Sequence, residues 1–414
     1  MDRVTPAAED PRRWRQLAIV AAGELLAMAP WFSASAVAPL LATDWSLDRL
    51  GLPILAVAVQ VGFAIGALAL AATAAADVLP ARLVFATGAF LAAVANLGFA
   101  YIPHEAATAL PFRVVTGLAL AGVYPIGLKL LAGWFRRERG LAIGVLVGAL
   151  TVGSALPYLL RAIGASQGLD WRLTVGSASV LGIVGGLLVL GGAAAGPWDI
   201  PAPKFSLDVA RSAVREPAVR LANLGYLGHM WELYAMWTWV PLFVAASFAA
   251  AGSPSSTSAS LAAFVIVGSG GVGCVVAGLL ADRLGRTTLT IAAMAISGSS
   301  AVAAGFLFGA APIATVVVGV VWGVTVVADS AQFSTAVSEL APPGTAGSAL
   351  AIQTALGFLL TGVTILAVGL LDPADSTVWR IAFGLLALGP LVGILAMWRL
   401  RRRPEAVRMA GGRR

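Results

Sequence analysis

The sequence predicts an all-α membrane protein whose twelve transmembrane helices form two pseudo-symmetric six-helix bundles. Three observations support this fold class. Of the 414 residues, 59% are hydrophobic and only 11% are charged, whereas about a quarter of the residues of a soluble domain are charged. Apolar stretches of the roughly 20 residues that a bilayer crossing needs recur along the whole chain. An internal repeat relates the first half of the chain to the second.

Twelve apolar segments are predicted to cross the membrane, and the Gly and Pro within them are tolerated there. The start of the chain resembles a secretory signal peptide, but its apolar run is longer than a signal core and contains Glu24. A polar, Pro-rich link at 196–218 separates a first bundle at 1–195 from a second bundle with a basic tail at 219–414. The predicted segments are 15–40, 50–73, 80–101, 107–131, 140–163, 171–195, 219–247, 259–281, 287–309, 312–338, 345–371 and 377–400.

The distribution of basic residues predicts the orientation. If the N-terminus is cytoplasmic, 21 of the 27 Lys and Arg fall in the termini and inner links, and four fall in outer links. Cytoplasmic links carry such an excess of Lys and Arg. We therefore expect a multi-pass protein of the cell inner (cytoplasmic) membrane with both termini cytoplasmic. The same distribution explains the net charge of +7, and no soluble domain is left to bind nucleic acid.

The repeat appears as three matches at nearly one offset. "ELLAMAPW" (24–31) lies over "ELYAMWTW" (232–239) at an offset of 208, and "AADVLPAR" (75–82) lies over "LADRLGRT" (280–287) at 205. "DWR" (170–172) matches "VWR" (378–380), again at 208. Because six helices per half is an even number, both halves enter the membrane from the same side, which makes a parallel repeat.

One loop carries a motif with a physical purpose, "GLLADRLGR" at 278–286. A glycine at its start, Gly278, allows two helices to approach closely. Asp282 can accept hydrogen bonds from the free N–H groups at a helix N-terminus. The remaining motif residues are Arg283, Gly285 and Arg286, and the two arginines are expected to anchor the loop at the inner surface.

Two six-helix halves in parallel repeat, with this loop between segments 8 and 9, resemble the major facilitator superfamily and its G-x-x-x-D-R-x-G-R signature. The first-half counterpart keeps Asp77 but has Val78, Pro80 and Ala81 where the signature has Arg, Gly and Arg. The resemblance implies a gating role for the motif, Asp77 included. It also implies a central cavity lined by segments 1, 4, 7 and 10.

Segment 4 resembles the fourth helix of that superfamily, in which an arginine is followed by glycines. Arg113, Gly117, Ala121 and Tyr124 are spaced for one helical face. Lys129 lies about 160° around the helix from Arg113 at 100° per residue, near the inner end of the segment, and we expect it to snorkel to the surface.

Five ionisable side chains lie well inside the segments, where a charge costs at least about 2.5–3.5 kcal/mol and normally faces a cavity or a partner. They are Glu24, Arg113, His229, Glu232 and Asp329. The two glutamates are repeat mates, and we expect both carboxyls to face the central cavity. There they can carry a coupling proton or bind a cationic group, and the alternative is a structural helix–helix hydrogen bond.

Aromatic residues on the faces of these glutamates are candidates for the wall of the pocket, namely Trp31 with Glu24 and Trp239 with Glu232. Tyr124 is a third candidate, and packing is the alternative for all three. No metal site is expected, because His229 and its neighbour Met230 point apart on a helix. No cofactor is expected either.

These residues favour a secondary active transporter that moves a small solute by alternating access and couples it to protons. No Walker motif supports ATP-driven transport. A membrane enzyme, which would need a clustered nucleophile or His/Asp set, and a non-transporting sensor in the same fold are the alternatives from other classes. The substrate is expected to be a small organic metabolite or drug-like compound, with organic or inorganic anions as the alternative. We expect a monomer in the lipid bilayer.

Overall fold

The computed structural model of the chain describes residues 10–199 and 205–413, without the side chains at 76, 77, 210 and 212. The described residues are helical and contain no β-strand. Eleven helices are long and apolar enough to cross a membrane, and they coincide with predicted segments 2 to 12. We number them as spans 2 to 12: Gly51–Thr73, Ala81–Tyr101, Ala106–Ala132, Arg139–Ser166, Trp171–Gly192, Pro217–Ala250, Ser256–Leu284, Arg286–Phe306, Pro312–Leu340, Ala346–Leu371 and Ser376–Arg401.

Span 1 differs from the prediction of one continuous helix over 15–40. It consists of three helices, Arg12–Ala27, Ser33–Ala36 and Ala38–Asp44. Pro30 lies in the break, and proline both lacks the N–H that a helix needs and collides with the preceding turn. Span 1 is therefore not among the eleven long apolar helices of the described residues. In the second half Thr238 matches Pro30, and span 7 continues through that position as a helix.

Spans 4 and 10, which are repeat mates, are also interrupted at matching depths. Span 4 is the helix pair Ala106–Leu120 and Tyr124–Ala132, and span 10 is the pair Pro312–Ala328 and Ser330–Leu340. Span 8 has a similar interruption at Ser269. Irregular backbone at membrane depth is tolerated where it is buried in protein or lines a cavity, so these breaks indicate where the interior of the molecule lies.

Helix pairing is the same in both halves. Spans 1, 2 and 3 pack on spans 6, 4 and 6, and their repeat mates 7, 8 and 9 pack on spans 12, 10 and 12. This repeated pairing agrees with two pseudo-symmetric halves. Both described ends of the chain lie on one face, where Arg13 at the start of span 1 contacts Glu138 before span 5 at 2.7 Å. We call this the termini face and the other the opposite face.

Two further segments cover the termini face. Helix Leu207–Arg215 lies between spans 6 and 7, and the N–H of the preceding Ser206 donates to Ser348 Oγ at the start of span 11, 3.2 Å away. After span 12, the 3-10 segment Pro404–Gly412 packs on spans 8 and 10 and buries Met409 completely.

Candidate functional site

A cavity of about 390 Å³ lies between the two halves. Its wall comes from spans 2, 4, 5, 7, 10 and 11 and from Phe205 in the link. On the termini side the wall includes Ala74 at the end of span 2 and the exposed Gly347 at the start of span 11, so the cavity opens toward the termini face. Its volume falls within the range of about 300–1,000 Å³ that is usual for small-molecule sites.

An aromatic plug closes the other end of the cavity. It consists of six buried side chains from both halves, with neighbouring ring centroids 4.3–5.7 Å apart. Rings at these separations attract one another beyond their burial. The plug therefore holds spans 1, 2, 7 and 11 together at mid-depth. Its members are Trp31, Phe32, Phe63, Tyr234, Trp237 and Phe358.

Two pairs of spans join the halves. Beyond the plug, spans 2 and 11 are in contact, since a Cβ built on Gly362 would lie 3.1 Å from Val57 Cγ1. Spans 5 and 8 pack on each other through both helices of span 8, and near the termini face a Cβ on Gly278 would lie 2.5 Å from the carbonyl oxygen of Gly140. Spans 2 and 11 line the cavity at their termini ends, so the gap between the halves opens there.

Glu232 does not line the cavity, contrary to the sequence-based expectation. It is 1% exposed, and its carboxyl points into the second half, where it accepts a hydrogen bond from Trp322 Nε1 at 2.7 Å and from Ser297 Oγ at 2.9 Å. The carboxyl therefore joins span 7 to spans 9 and 10. Partners inside the bundle satisfy this group, so a cavity is not needed to accommodate it.

His229 lies one turn before Glu232 and contacts Asp329 at the break of span 10. His229 Nδ1 is 2.9 Å from Asp329 Oδ1, and both side chains are 1% exposed. The next residues along each span, Met230 and Ser330, line the cavity. The His229–Asp329 pair therefore lies directly behind the cavity wall.

Glu24 is fully buried and, like its repeat mate, does not line the cavity. Its Oε2 packs against Gly127 in the second helix of span 4, close enough that a Cβ at Gly127 would collide with it. Neither carboxyl oxygen has a hydrogen-bond partner within the described residues. A carboxyl buried without partners is costly in its ionised form.

Arg113 is 1% exposed and binds the backbone that the break of span 1 leaves unpaired. Its Nη2 donates to the carbonyl of Trp31 at 2.6 Å, and its Nη1 donates to the carbonyl of Pro30 at 3.4 Å and to Asn96 Oδ1 at 3.0 Å. Its guanidinium also lies 5.1 Å from the ring centroid of Phe99. Arg113 thus holds Trp31 in the plug and does not reach the cavity.

The three aromatic candidates have separate locations. Tyr124 lines the cavity, and Trp31 belongs to the plug. Trp239 lies on the far side of the plug beside Pro53, and its Nε1 donates to the carbonyl of Ile365 at 3.3 Å. Trp237, which the sequence did not single out, lines the cavity instead.

The loop motif between spans 8 and 9 forms a polar cluster on the termini face. Arg286 donates to both carboxylate oxygens of Glu339 at 2.7 Å and to Gln332 Oε1 at 2.8 Å. Asp282 Oδ1 is 3.4 Å from Arg286, and its Oδ2 would lie 3.6 Å from a Cβ on Gly140. Asp282 is thus at the N-terminus of span 5.

The other motif residues complete this picture. Gly285 adopts φ +86, which suits glycine, and Arg283 is exposed. The backbone of Asp77 lies in helix Ala75–Val78, and its side chain is outside the described part of the structure. The tail reaches the same cluster, where Arg413 Nη1 donates to the carbonyl of Asp282 at 2.8 Å.

Several of these residues were not found from the sequence. Asn96 is an amide inside span 3 and Glu339 is an acid near the end of span 10, so their polarity was a usable signal. Ser297, Trp322 and Trp237 had no such signal, because serine and tryptophan are common in membrane helices as packing residues.

Comparison with known proteins identifies the family. A family model described as Major Facilitator Superfamily matches residues 20–365. The chain belongs to the major facilitator superfamily. It is accordingly a multi-pass membrane transporter and not an enzyme.

Two fungal members of the superfamily are similar in sequence. The chain is 27% identical over 217 residues to MFS-type transporter pytF of Aspergillus terreus, which is 51% of this chain and 69% of that protein. It is 24% identical over 186 residues to MFS transporter asaE of Aspergillus flavus, which is 45% of this chain and 40% of that protein. The second match thus covers about two fifths of the relative's length.

Solved structures show the same fold. The proton:xylose symporter XylE bound to 6-bromo-6-deoxy-D-glucose has a TM-score of 0.71 at 16% identity, over 95% of this chain and 96% of that one. A D-xylose-proton symporter has a TM-score of 0.73 at 17% identity, over 94% and 98%. XylE from E. coli in a partially occluded inward open conformation has a TM-score of 0.71 at 15% identity, over 94% and 99%.

Proposed function

We propose that the protein is a secondary active transporter that moves a small organic solute across the cytoplasmic membrane by alternating access, coupled to protons. The observation that carries this proposal is the cavity between the halves. It is open to the termini face as far as Trp237 and closed beyond it by the aromatic plug. A site reached from one side at a time is what alternating access requires.

The contacts between the halves indicate which parts must separate for the cavity to open to the other face. In this conformation spans 2 and 11 touch at the opposite face, and spans 5 and 8 touch at the termini face. Opening toward the opposite face requires Val57 to separate from Gly362 and the rings of the plug to part. The backbone contact of Gly140 with Gly278 can serve as a pivot, because the small residues let the helices pack closely.

Buried acids support proton coupling. Glu232 and Asp329 each face a polar partner inside the second half, and Glu24 has none among the described groups. Burial is unfavourable for the charged form of each of these carboxyls, and binding a proton removes that charge. Any change of exposure during the cycle therefore links proton binding to the conformational equilibrium.

The charge on the two faces supports a cytoplasmic termini face. Arginines of the described chain are concentrated on the termini face, at the start of span 1, in the loop motif and in the tail. The opposite face has Arg49, Arg161, Arg172 and Arg380, and Arg172 is paired there with Asp44 at 3.0 Å. Such an asymmetry sets the orientation of membrane helices, and it supports a cytoplasmic location for the open end of the cavity.

The lining favours a substrate with apolar surface. Its polar side chains are hydroxyls of Ser, Thr and Tyr together with Lys129, and the described lining contains no carboxylate or amide side chain. A pentose such as the xylose of the structurally similar symporters exposes a hydroxyl on nearly every carbon. Apolar side chains make up most of the described lining, so this cavity fits an apolar metabolite or drug-like compound better than a sugar.

The experiment that tests the proposal begins with a thermal-shift screen of the purified protein against charged and neutral metabolites at two pH values. Compounds that stabilise the protein are then followed into proteoliposomes with and without a pH gradient. We expect uptake of at least one of them to depend on the gradient. Equal accumulation with and without the gradient, for every stabilising compound, would rule out proton coupling.

A further inference from the structure

We propose that the cavity binds an organic anion with an apolar, ring-containing body, whose charged group is held by Lys129 and whose ring packs on the aromatic plug. This assignment rests on the transport function proposed above and names its substrate class.

The charge of the cavity points to an anion. Lys129 is the one charged side chain in the part of the wall that the structure describes. Glu24 lies behind that wall against Gly127, and Asp329 faces His229 away from it. A cationic ligand would be repelled by the ammonium group of Lys129, whereas an anion is attracted to it in surroundings of low dielectric.

The closed end of the cavity points to a ring. Tyr234, Trp237 and Phe358 form its end wall, with ring centroids of Tyr234 5.2 Å from Trp237 and 5.0 Å from Phe358. Aromatic rings of a ligand pack on such surfaces by stacking or edge-to-face contact. Leu150 and Val147 of span 5 and Leu233 of span 7 extend the same apolar surface along the sides.

Lys129 and the aromatic end wall lie at different depths of the cavity, as the charged group and the ring of an amphipathic anion require. Lys129 is five residues after Tyr124 on helix Tyr124–Ala132, which places it about 7.5 Å nearer the termini face at 1.5 Å per residue. The charged group of the ligand therefore lies toward the mouth and its ring lies deeper. Lys129 already has an interaction in this conformation, which the anion would replace or join.

The sequence alone predicted that Lys129 snorkels to the surface. A lysine that does so would not make the cavity prefer a charged ligand to a neutral one. The test therefore measures a preference between ligands and not overall activity. Isothermal titration on the purified full chain uses four carboxylates, namely phenylacetate, 3-phenylpropanoate, 4-phenylbutanoate and indole-3-acetate, each against its own primary amide. The cation 3-phenylpropylammonium completes the panel. We expect at least one carboxylate to bind tenfold or more tightly than its amide.

Variants assign the preference to Lys129. We expect Lys129→Gln to bring the carboxylate-to-amide ratio to about one while amide affinity changes less than twofold, and Lys129→Arg to retain the preference. Arg220→Gln, which removes one charge from an exposed position at the start of span 7, is the matched control and should leave the ratio unchanged. The proposal is overturned if no carboxylate is preferred, or if Lys129→Gln keeps the preference.

Transport of the same panel separates this proposal from the proposed function. If an amide or the ammonium compound is accumulated in response to a pH gradient and no carboxylate is preferred, the transport function stands and the substrate class is wrong. If carboxylates bind through Lys129 but none of the panel enters proteoliposomes under any gradient, the substrate class stands and the transport function fails.

Discussion

Replacing Glu232 by glutamine tests whether this buried carboxyl couples transport to protons. The fold should tolerate the change. Glutamine Oε1 can still accept from Trp322 Nε1, and its amide can donate to Ser297 Oγ, whose own hydroxyl has the carbonyl of Met294 3.3 Å away as an acceptor. With every hydrogen bond retained, we expect a loss of stability below about 1 kcal/mol. Glu232→Ala should cost more, because it leaves the buried indole N–H of Trp322 unpaired, at about 1–3 kcal/mol.

The functional effect should be large by comparison. One pH unit across the membrane corresponds to about 1.36 kcal/mol per proton, which shifts the steady-state substrate ratio about tenfold if one proton moves per substrate molecule. We expect wild-type protein to show this tenfold dependence in proteoliposomes and Glu232→Gln to show about none. Exchange of labelled for unlabelled substrate without a gradient should persist.

Ser297→Ala is the matched control, since it removes one hydrogen bond but keeps the carboxyl, and it should retain gradient-driven accumulation. A tenfold gradient response from Glu232→Gln would refute the coupling role. The carboxyl would then be a structural link between spans 7, 9 and 10.

Three further changes test other parts of the site. Arg113→Met removes the donors to the carbonyls of Pro30 and Trp31. We expect the free energy of unfolding to fall by about 3 kcal/mol or more, seen as a lower unfolding temperature. An unchanged unfolding temperature would contradict this. Gly127→Ala forces a Cβ onto Glu24 and should lower stability by about 1–3 kcal/mol through overpacking. In the control Gly191→Ala the new Cβ meets nothing within 4 Å, and stability should not change. Equal unfolding temperatures for the two variants would show that Glu24 is not confined. Asp282→Asn should lower the turnover rate more than ligand affinity, and normal turnover at normal expression would count against a gating role.

Much of the fold was predictable because bilayer crossing imposes a length and a polarity on each helix. Segments 2 to 12 coincide with the observed spans, and the repeat matches the repeated helix pairing. Span 1 was mispredicted as continuous even though Pro30 was visible. Proline is tolerated within a membrane helix when neighbouring groups satisfy the freed carbonyls. The sequence could not show that the helix breaks here and that Arg113 binds the carbonyls in the break.

The orientation of span 7 was predicted less well, for a physical reason. Periodicity groups His229, Glu232 and Trp239 on one face, and the cost of a buried charge turns that face away from lipid. Both the cavity and the interior of the second half meet that condition. Ser297 and Trp322 stabilise the carboxyl in the interior, so the neighbouring face with Tyr234 and Trp237 lines the cavity.

Candidate site residues were therefore recognised by type more reliably than by location. Asp329 and His229 were each identified as intramembrane polar residues, yet their pairing across spans 7 and 10 depends on helix packing that one sequence does not reveal. Lys129 shows the reverse case. Its position near a helix end favoured snorkelling. In the structure the termini ends of spans 2 and 11 are separated, and Lys129 lines the cavity between them.

The most direct test of alternating access is a reversible cross-link at the closed end of the route. Val57→Cys places a sulfur near the present position of Val57 Cγ1, 3.1 Å from the Cβ that Gly362→Cys adds, which is close enough for a disulfide. Both changes are introduced together with Cys274→Ser. Oxidation should join spans 2 and 11 and hold the cavity open to the termini face. We expect substrate binding to continue and transport through proteoliposomes to stop, with transport restored by reductant and each single-cysteine protein unaffected by oxidant. Undiminished transport by the fully cross-linked protein would contradict the account.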